Sequence, residues 1–478
     1  MGWYSMTILG TDATSQRLVE LTAEDRRQGT YIIGTNGSGK SNLLQDIVLQ
    51  DLQAGDGLCL LDPHGDLVEA VLARIPDHRI DDVVLFDPAD IDHPFGLNLL
   101  ECPDVSNPRL VDLVCSEVVV TFHKLFAESW GPRMEDVIRH TILALVYGTP
   151  DATMLDMLIF LTSDERRAEY VARVTDPVIL HYWQDVFPNG PKDKRRQDDW
   201  TSSTLNKLGR FLVNPLMRNI VSQPQSTFDI GTIMNEGKVL LVNLAKGRLG
   251  EDNSSLLGSV LVGKLLISAL GRAELNPRAR RPFHLIVDEF HSFATENFPT
   301  LQSEARKFAI DTIVAHQYRD QLDDLNRGST LNVGNFILFR TSGRDAYELA
   351  MQFDNTPPPG DVEMRATGHR TSRPGALRPG DPVLAEGTRR TFGDLTNEKA
   401  NQLANAPNYH ARCRLLVGGF LEERFIKTRL IATEPDPRKA KYVRDRAEEL
   451  GTPRADVEKL VRQKYGGVLP AVFDDDES

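Results

Sequence analysis

Short apolar runs alternate with helical patterns in the first part of this 478-residue chain. Three runs have the length of buried strands and end at turn residues: Thr30–Ile33, Gly57–Leu61 and Asp82–Phe86. Helical patterns lie between them, one after Ser41 and one at Leu67–Ile75. Two shorter runs, Thr7–Leu9 and Leu18–Leu21, predict a small β-hairpin before the first strand. This alternation predicts a doubly wound α/β sheet with mostly parallel strands.

The pattern changes between about Asp104 and Ile230, where helical periodicity replaces the strand-like runs. Five helices are predicted: Arg109–Phe126, Met134–Tyr147, Thr153–Leu161, Pro177–Phe187 and Trp200–Val213. The segment Pro188–Asp199 carries turn residues and a run of charges, which we interpret as a break between helices. We therefore predict an all-helical insertion domain over residues 104–231.

The α/β pattern returns after this insertion. Six further strands are predicted: Lys238–Asn243, Phe283–Asp288, Asp311–Ala315, Asn335–Phe339, Arg412–Val417 and Glu423–Thr428. The helical patterns in the same region are Asn253–Ala273, Thr300–Phe308, a short turn near Leu322–Leu325, and Thr396–Ala406. Residues 355–390 are rich in Pro, Gly and Arg without an apolar period, so we predict a long loop.

Two charged helices, Arg438–Glu449 and Arg454–Lys464, and an acidic tail are predicted beyond Pro435. The predicted organisation has four parts: 1–103 and 232–435 as the two halves of a nucleotide-binding core, 104–231 as the helical insertion, and 436–478 as the C-terminal helices with the tail.

Composition narrows the class of protein. An apolar content of 41% is ample for large cores, and no stretch approaches the roughly 18 uninterrupted apolar residues of a membrane span. The first residues lack the pattern of a signal peptide. The four cysteines are scattered without C-x-x-C pairs, which indicates a reduced, cytoplasmic protein without a zinc site. A net charge of −13 argues against a whole surface devoted to nucleic acid, but it leaves room for a locally basic channel.

The loop after the strand Thr30–Ile33 carries the motif G-x-x-x-x-G-K-S. Its residues are Gly34, Thr35, Asn36, Gly37, Ser38, Gly39, Lys40 and Ser41, and Asn42 follows in the helix. The glycines let backbone N–H groups curl around phosphate oxygens, and the helix adds its positive end. Lys40 can reach the β- and γ-phosphates, and Ser41 can give its hydroxyl to Mg²⁺. The alternative is a glycine-serine turn with a chance lysine, but the flanking strand and helix favour a nucleotide site.

Asp288 and Glu289 follow directly after the apolar run Leu285–Val287. Acids at the tip of a buried parallel strand lie at the carboxyl edge of the sheet, where ligands bind. Asp288 can hold Mg²⁺ through water opposite Ser41, and Glu289 can orient or deprotonate an attacking water. An ordinary surface turn is the alternative. The long gap between Lys40 and Asp288 is accounted for by the helical insertion.

Other strand ends carry further candidates. Gln317 closes the next strand, where its amide would sense the γ-phosphate, although an ordinary polar strand end is an open alternative. His316 is expected to pack or cap. Asp62 and His64 end a strand that we expect beside the strand of the phosphate loop. Asp62 either reaches the site or caps the following helix, and the cap is favoured.

Hydrolysis between subunits needs a cation from a neighbour to neutralise transition-state charge. Arg340, Arg344 and Arg306 are candidates, and Arg340 is the first of them. Three basic clusters are candidates for phosphate contacts, although each taken alone is more typical of a solvated turn. They are Lys192, Lys194, Arg195 and Arg196; Arg278, Arg280 and Arg281; and Arg365, His369, Arg370 and Arg373.

Four segments together resemble the type IV secretion coupling proteins of the TraG/TraD kind, within the HerA and FtsK DNA-pumping ATPases: GTNGSGKS, LCLLDPHGDL, VVLFDPADIDHPFGLNLL and HLIVDEFHSFATENFPTLQSEARKFAIDTIVAHQY. The resemblance covers most of residues 15–430. It implies a RecA-like P-loop NTPase core interrupted by an all-helical domain, and ring hexamers that move DNA through a central channel with ATP. The implied site residues are Lys40 and Ser41 for phosphate and Mg²⁺ (Walker A), Asp288 and Glu289 (Walker B), and Gln317 as sensor. No motif fixes the arginine finger.

Coupling proteins usually carry N-terminal membrane helices and HerA proteins an N-terminal β-barrel, and this sequence has neither beyond the predicted hairpin. We therefore expect a soluble variant, or a membrane or secretion partner in a separate chain.

The leading hypothesis is an ATP-hydrolysing motor that translocates DNA as a ring hexamer, without sequence preference. The alternative is an ATP-gated recruitment platform that passes protein substrates to a secretion machine or effector. An ABC-type ATPase is disfavoured because the L-S-G-G-Q signature is absent. Stimulation of ATPase activity by DNA separates the first two.

Overall fold

The structure, a computed structural model, describes residues 6–190, 192–357, 362–366 and 385–465. Its strands are β1 Met6–Asp12, β2 Leu18–Thr22, β3 Thr30–Ile33, β4 Gly57–Asp62, β5 Val83–Phe86, β6 Val239–Asn243, β7 Phe283–Val287, β8 Ile310–His316, β9 Asn335–Leu338, β10 Val362–Ala366, β11 Ala385–Arg389, β12 His410–Val417 and β13 Phe420–Lys427.

Its α-helices are α1 Ala23–Arg26, α2 Lys40–Ala54, α3 Asp66–Leu72, α4 Pro108–Phe126, α5 Pro132–Gly148, α6 Met154–Thr162, α7 Asp164–Val171, α8 Pro177–His181, α9 Lys194–Leu212, α10 Pro215–Val221, α11 Ile230–Glu236, α12 Lys246–Leu249, α13 Glu251–Gly271, α14 Phe298–Ala305, α15 Asp324–Ser329, α16 Gly343–Ala350, α17 Phe392–Ala404, α18 Pro437–Leu450 and α19 Arg454–Tyr465.

One sheet of eleven strands runs in the order β2-β1-β13-β12-β9-β3-β8-β7-β4-β6-β5. The strands from β9 to β5 are parallel to one another, whereas β12, β13, β1 and β2 are joined by antiparallel pairs. Strands β3, β4, β6, β7 and β8 are buried along their whole length, as their continuous apolar runs predict for parallel strands covered on both faces. The predicted α/β fold with a mostly parallel central sheet is confirmed.

Our prediction of the strand that lies beside β3, the strand before the phosphate loop, is wrong. We expected the strand ending at Asp62 to lie beside β3, but β8 and β7 lie between β3 and β4. Both intervening strands come from the second half of the chain. Order along the sequence does not fix order in a doubly wound sheet, because each crossover helix can carry the chain past an existing strand.

Helices fill the described residues between β5 and β6. Three of them, α7, α10 and α11, were not predicted, because they are short. The predicted break at Pro188–Asp199 is partly wrong, since α9 already begins at Lys194. Side chains of this region, such as Phe122 and Leu208, belong to the same hydrophobic core as Tyr31 and Leu285 of the sheet. The helical segment therefore shares its core with one face of the sheet, and the domain limits remain a prediction.

The predicted loop at 355–390 is also partly wrong. Within it, β10 and β11 pair as antiparallel strands, with Val362 opposite Arg389. Arg365 lies on β10, whereas His369, Arg370 and Arg373 of the same basic cluster lie outside the described residues. An apolar period cannot reveal such a hairpin, because its strands have the sequences VEMRA and AEGTR.

The C-terminal helix α18 packs onto α3 and β5 of the first half of the core, and α19 packs onto α10 of the helical segment. Tyr442 on α18 donates its hydroxyl hydrogen to Asp81, and Arg444 on the same helix pairs with Glu69 of α3. On α19, Val457 and Val461 are buried in the main hydrophobic core. The predicted acidic tail lies outside the described residues.

One helical stretch among the described residues, Glu251–Glu274, is long and apolar enough to cross a membrane by length and composition. Within the fold, 72% of its most apolar window is buried. It packs closely against the segment after β7, because a Cβ added at Gly258 would lie 2.2 Å from the ring of Phe293. This explains a glycine in the middle of the helix.

A group of buried charges lies at the amino edge of the sheet. Arg26 pairs with Asp51 at 2.5 Å and with Asp311 at 3.5 Å, and Nδ1 of His284 lies 2.6 Å from Asp311. Burial lowers the pKa of His284, but Asp311 and Asp51 outweigh burial and raise it to about 10. The imidazole is therefore charged at neutral pH, and the network ties α2, β7 and β8 together.

Glu117 on α4 is buried against α13 and accepts a hydrogen bond of 2.7 Å from Nδ2 of Asn297. A Cβ added at Gly263 of α13 would lie 2.8 Å from Oε2 of Glu117, so only glycine leaves room for the carboxyl group. Burial raises the pKa of Glu117 to about 7, although the hydrogen bond from Asn297 acts to lower it. The carboxyl group is therefore largely protonated in the folded protein below neutral pH.

We predict that Glu117→Gln stabilises the protein at pH 8 but not at pH 4. The folded protein keeps a proton on Glu117 that the unfolded chain releases near pH 4.5. The stability of the wild-type protein therefore falls as the pH rises from there through about 7. A glutamine does not ionise and can still accept from Asn297. We expect a difference of up to about 3 kcal/mol in the free energy of unfolding.

Chemical denaturation of both proteins at pH 4, 6 and 8 measures this difference. The matched control is Asp112→Asn, which removes an exposed carboxylate from the same helix. A Glu117→Gln effect that does not change with pH would contradict the prediction.

Candidate nucleotide site

The phosphate loop spans Gly34–Gly39, between the end of β3 and the first residue of α2. Gly37 and Gly39 have φ angles of 74° and 115°, in the left-handed region that favours glycine. At Gly34 an added Cβ would lie 2.7 Å from the Cβ of Phe339. The glycines of the motif are therefore required by backbone conformation at two positions and by close approach at the third.

Hydrogen bonds fix both ends of this loop. Gly34 N donates to His316 O at 3.3 Å, and Thr35 N donates to Arg340 O at 2.8 Å. At the other end, Tyr409 N donates to Ser38 O at 2.7 Å. The loop is thus held from β8 and β9 on one side and from the start of β12 on the other.

Lys40 is buried and points at the acids that follow β7. Its Nζ lies 2.7 Å from Oε1 of Glu289 and 3.3 Å from Oδ1 of Asp288. Nε2 of Gln317 donates to the same Glu289 oxygen at 3.0 Å. The structure therefore brings together four predicted site residues, because β7 and β8 are neighbours and end at the same edge as β3.

The two acids have different electrostatic environments. Burial raises the pKa of Asp288 above its usual range, despite Lys40. Burial alone would also raise the pKa of Glu289, but Lys40 and the hydrogen bond from Gln317 outweigh burial and lower this pKa. Glu289 is therefore ionised at neutral pH. Its φ of 43° is also in the left-handed region, an uncommon conformation for a residue with a side chain.

Two histidines border these acids. Nδ1 of His291 lies 3.5 Å from Oε2 of Glu289, and burial lowers the pKa of His291 to about 4. His316 is fully buried, contacts the hydroxyl of Tyr31 at 2.7 Å, and has a pKa that burial lowers to about 3. Both imidazoles are neutral at neutral pH. The expectation that His316 packs inside the protein agrees with this geometry.

The residues for a cation fit Mg²⁺. Ser41 is exposed at the first turn of α2, and the Asp288 carboxylate reaches the ammonium group that precedes Ser41 in the chain. Hydroxyl and carboxylate oxygens are the ligands that Mg²⁺ prefers, together with phosphate oxygens. Asn42 donates from Nδ2 to Arg429 O at 2.6 Å, so it also ties the first turn to the segment after β13.

Asp62 acts as a cap, as we favoured from the sequence. Its Oδ2 accepts hydrogen bonds from Leu67 N at 2.8 Å and Val68 N at 3.1 Å, both in the first turn of α3. Its Oδ1 accepts from His64 N at 2.8 Å, and the His64 side chain is exposed. Neither residue contacts the phosphate loop.

The three arginine candidates occupy different places. Arg340 offers its carbonyl to the phosphate loop of its own chain. Arg344 pairs with Asp320 at 2.7 Å on the surface. Arg306 donates to Gln28 at the amino edge of the sheet, far from the phosphate loop. Assignment of an arginine finger stays a prediction.

The basic cluster at 192–196 is largely balanced by acids. Arg196 pairs with Asp193 at 3.2 Å, and Lys194 lies 4.0 Å from Asp198. In the second cluster, Arg280 and Arg281 donate to backbone carbonyls of other segments, and Arg278 is exposed. A role of either cluster in binding phosphates stays a prediction.

Contacts from the helical segment reach the loop after Glu289, which the sequence did not reveal. Nζ of Lys124 on α4 donates to Ser292 O at 2.7 Å, and Ser255 on α13 donates to the same oxygen at 2.8 Å. His123 of α4 lies 2.8 Å from Glu296. Burial lowers the pKa of Lys124 to about 7. A lone lysine in an amphipathic helix carries no pattern that would have identified this contact.

A cavity of about 490 Å³ adjoins the phosphate loop between the segments that follow β8 and β9. Its lining includes Asn36, Gln317, Ser342 and Arg344. Gln317, the predicted sensor, thus faces both Glu289 and this open space.

Comparisons with known proteins bear on this arrangement. No protein-family model matches the chain. Its sequence is 22% identical over 385 residues to the type 4 coupling protein DotL of Legionella pneumophila. The match covers 69% of this chain and 48% of DotL, so the chain spans about half the length of the curated relative it matches.

Solved structures show a similar fold. The bacterial conjugative coupling protein TrwB, unbound, has a TM-score of 0.58 at 16% identity, with 88% of both chains covered. TrwB with ADP and Mg²⁺ has a TM-score of 0.54 at 16% identity, covering 86% of this chain and 88% of that one. VirB4 of Thermoanaerobacter pseudethanolicus has a TM-score of 0.52 at 13% identity, covering 90% and 97%.

The fold alone does not separate coupling proteins from VirB4, and the sequence similarity is to the coupling protein DotL. The sequence similarity to DotL and the fold shared with TrwB together confirm the resemblance found in the sequence: this chain is similar to the type IV coupling proteins and has their P-loop ATPase fold.

Proposed function

We propose that this protein is an ATP-hydrolysing motor that binds and translocates DNA as a ring hexamer. The observation that carries the proposal is the convergence of Lys40 and Gln317 on one oxygen of Glu289, beside a glycine loop at the carboxyl edge of the sheet. The similar proteins support the proposed nucleotide and the proposed link to secretion, since TrwB has been solved with ADP and Mg²⁺ and DotL is a type 4 coupling protein.

The geometry suggests how the residues share the chemistry. A γ-phosphate in the loop would draw the Lys40 ammonium away from Glu289 and leave that carboxylate to orient or deprotonate a water. Gln317 would keep Glu289 in place and respond to loss of the γ-phosphate. Ser41 and Asp288 would hold Mg²⁺, which neutralises charge on the phosphates.

The helical segment is connected to this chemistry through Lys124 and Ser292. Ser292 lies three residues after Glu289, so a displacement of α4 would move the loop that begins at this proposed general base. This connection supports a function in which a substrate bound by the helices controls hydrolysis. It serves a DNA motor and a protein-recruiting platform equally well.

The recruitment platform remains the second candidate. It is favoured by the net charge of −13 and by the carboxylates that accompany the cations at 192–196. Both candidates use the same nucleotide site, so only the response to DNA distinguishes them.

We predict that Lys40→Ala abolishes tight ATP binding, because the charge facing the β- and γ-phosphates is lost. Glu289→Gln should bind ATP normally and hydrolyse it about 100-fold more slowly or worse, the scale expected for loss of a general base. Calorimetry measures binding, and phosphate release measures turnover. Glu251→Gln, at an exposed carboxylate, is the matched control. Wild-type turnover by Glu289→Gln would disprove the assigned role of Glu289.

We predict that hydrolysis depends on assembly, because a neighbouring subunit supplies the finger arginine. Specific activity should rise with protein concentration. A mixture of Glu289→Gln and Arg340→Ala subunits should recover turnover at mixed interfaces that hold an intact Glu289 and a donated Arg340. In the control mixture, subunits that carry both Glu289→Gln and Arg340→Ala replace the Glu289→Gln subunits, so no Arg340 is available to the intact Glu289. Concentration-independent activity of a proven monomer would contradict this prediction.

We predict that DNA stimulates turnover, regardless of sequence, because contacts to phosphates carry no base information. Affinity should fall by about 0.9 log units per tenfold rise in salt for each phosphate neutralised on duplex DNA. Replacing Lys192, Lys194, Arg195 and Arg196 by Gln should weaken stimulation. The control replaces four cations of α18, namely Arg438, Lys441, Arg444 and Arg446.

Turnover that DNA leaves unchanged at about 50 mM salt, where such binding is strong, would overturn the motor in favour of the recruitment platform. Equal effects of the two quadruple variants would show that the cluster at 192–196 is not the contact.

A further inference from the structure

The proposed site fixes the orientation of a bound nucleotide along the carboxyl edge of the sheet. Glu289 follows β7 and Gln317 follows β8, so the γ-phosphate end lies on that side of β3. The phosphate chain then passes along the first turn of α2 at Ser41 and Asn42. The ribose and base must lie on the opposite side of β3, where β9 and β12 end the parallel part of the sheet and begin its antiparallel part.

Tyr409 is an aromatic residue at this place, directly before β12. We infer that its ring stacks against the purine base of the nucleotide. The inference rests on the proposed function and adds the residue that recognises the base.

The position of Tyr409 is fixed by backbone contacts. Its N–H donates to Ser38 O at 2.7 Å, and its carbonyl accepts from Thr428 N at 2.8 Å. A Cβ added at Gly39 would lie 3.1 Å from Cδ1 of the tyrosine ring. The ring therefore lies directly beside the loop residue that precedes Lys40.

The ring nevertheless remains open to a ligand. Tyr409 is 38% exposed, although its backbone is bound on both sides. Its φ of 62° is in the left-handed region, a conformation that is strained for a residue with a side chain. A glycine would avoid this strain. A large aromatic residue at such a position indicates that the ring has a role beyond the turn.

Arg429 also contacts this end of α2. Nδ2 of Asn42 donates to Arg429 O at 2.6 Å, and the Arg429 guanidinium pairs with Asp46 of α2 at 3.0 Å. Tyr409 and Arg429 thus flank the first turn of α2 on the side away from Glu289. Stacking uses the face of the base and not its exocyclic groups, so adenine and guanine nucleotides should bind with similar affinity.

The test separates the base from the phosphates. Binding of a non-hydrolysable ATP analogue and of inorganic tripolyphosphate, both with Mg²⁺, is measured by calorimetry for wild type, Tyr409→Phe and Tyr409→Ala. We expect Tyr409→Ala to lose roughly tenfold in affinity for the ATP analogue, the usual effect of removing one stacking ring. Tripolyphosphate affinity should not change, and Tyr409→Phe should restore most of the affinity for the analogue.

Two further variants serve as an alternative to Tyr409→Ala and as a control. Tyr409→Gly removes the ring at a position where glycine has no backbone strain, so it gives the same measurement if Tyr409→Ala folds poorly. Tyr347→Ala removes a similarly exposed tyrosine from α16 and is the matched control.

Unchanged affinity of Tyr409→Ala and Tyr409→Gly for the ATP analogue would overturn the inference. Equal losses for the analogue and for tripolyphosphate would also overturn it, because the ring would then only support the phosphate loop. A wild-type protein that binds neither ligand would instead contradict the proposed function itself.

Discussion

The charge pairing of Lys40 with Asp288 and Glu289 is the interaction on which the site depends. Three ionisable groups meet in a buried space, and Lys40 and Glu289 are 249 residues apart in the chain. Removing one partner of a buried pair costs about 3–5 kcal/mol, because a charge is then left without compensation. The left-handed backbone at Glu289 and the hydrogen bond from Gln317 both serve to bring one carboxylate oxygen to this ammonium.

The loop that follows this carboxylate is held from outside the sheet. Lys124 and Ser255 bind one carbonyl of the loop after β7, and Glu117 binds Asn297 farther along that loop. Because the helical segment shares its hydrophobic core with the sheet, these contacts are parts of one packed body and not of a loosely attached domain. Small displacements of packed helices are transmitted in such a body.

Local patterns in the sequence predicted most of the fold and the centre of the site. Continuous apolar runs identified the buried strands, and the phosphate loop and the acids after β7 were identified because each is a short motif with a defined flank. The order of the sheet could not be predicted, since β8 and β7 enter between β3 and β4 from a distant part of the chain. Tyr409 and Lys124 were missed because their importance lies in single long-range contacts. The role of the cluster at 192–196 stays a prediction, since the fold pairs some of its cations with the neighbouring Asp193 and Asp198.

The central position of β3 has a consequence for the growing polypeptide. Both strands that pair with β3 come from the second half of the chain, and Tyr31 is 285 residues away from its contact His316. At about 5–20 residues per second, the ribosome needs on the order of tens of seconds to make that stretch. Until then the strand before the phosphate loop has no neighbour on either side. The phosphate loop therefore cannot reach its final position in the sheet before β8 and β9 have been made, because the strand that leads into it pairs with both of them.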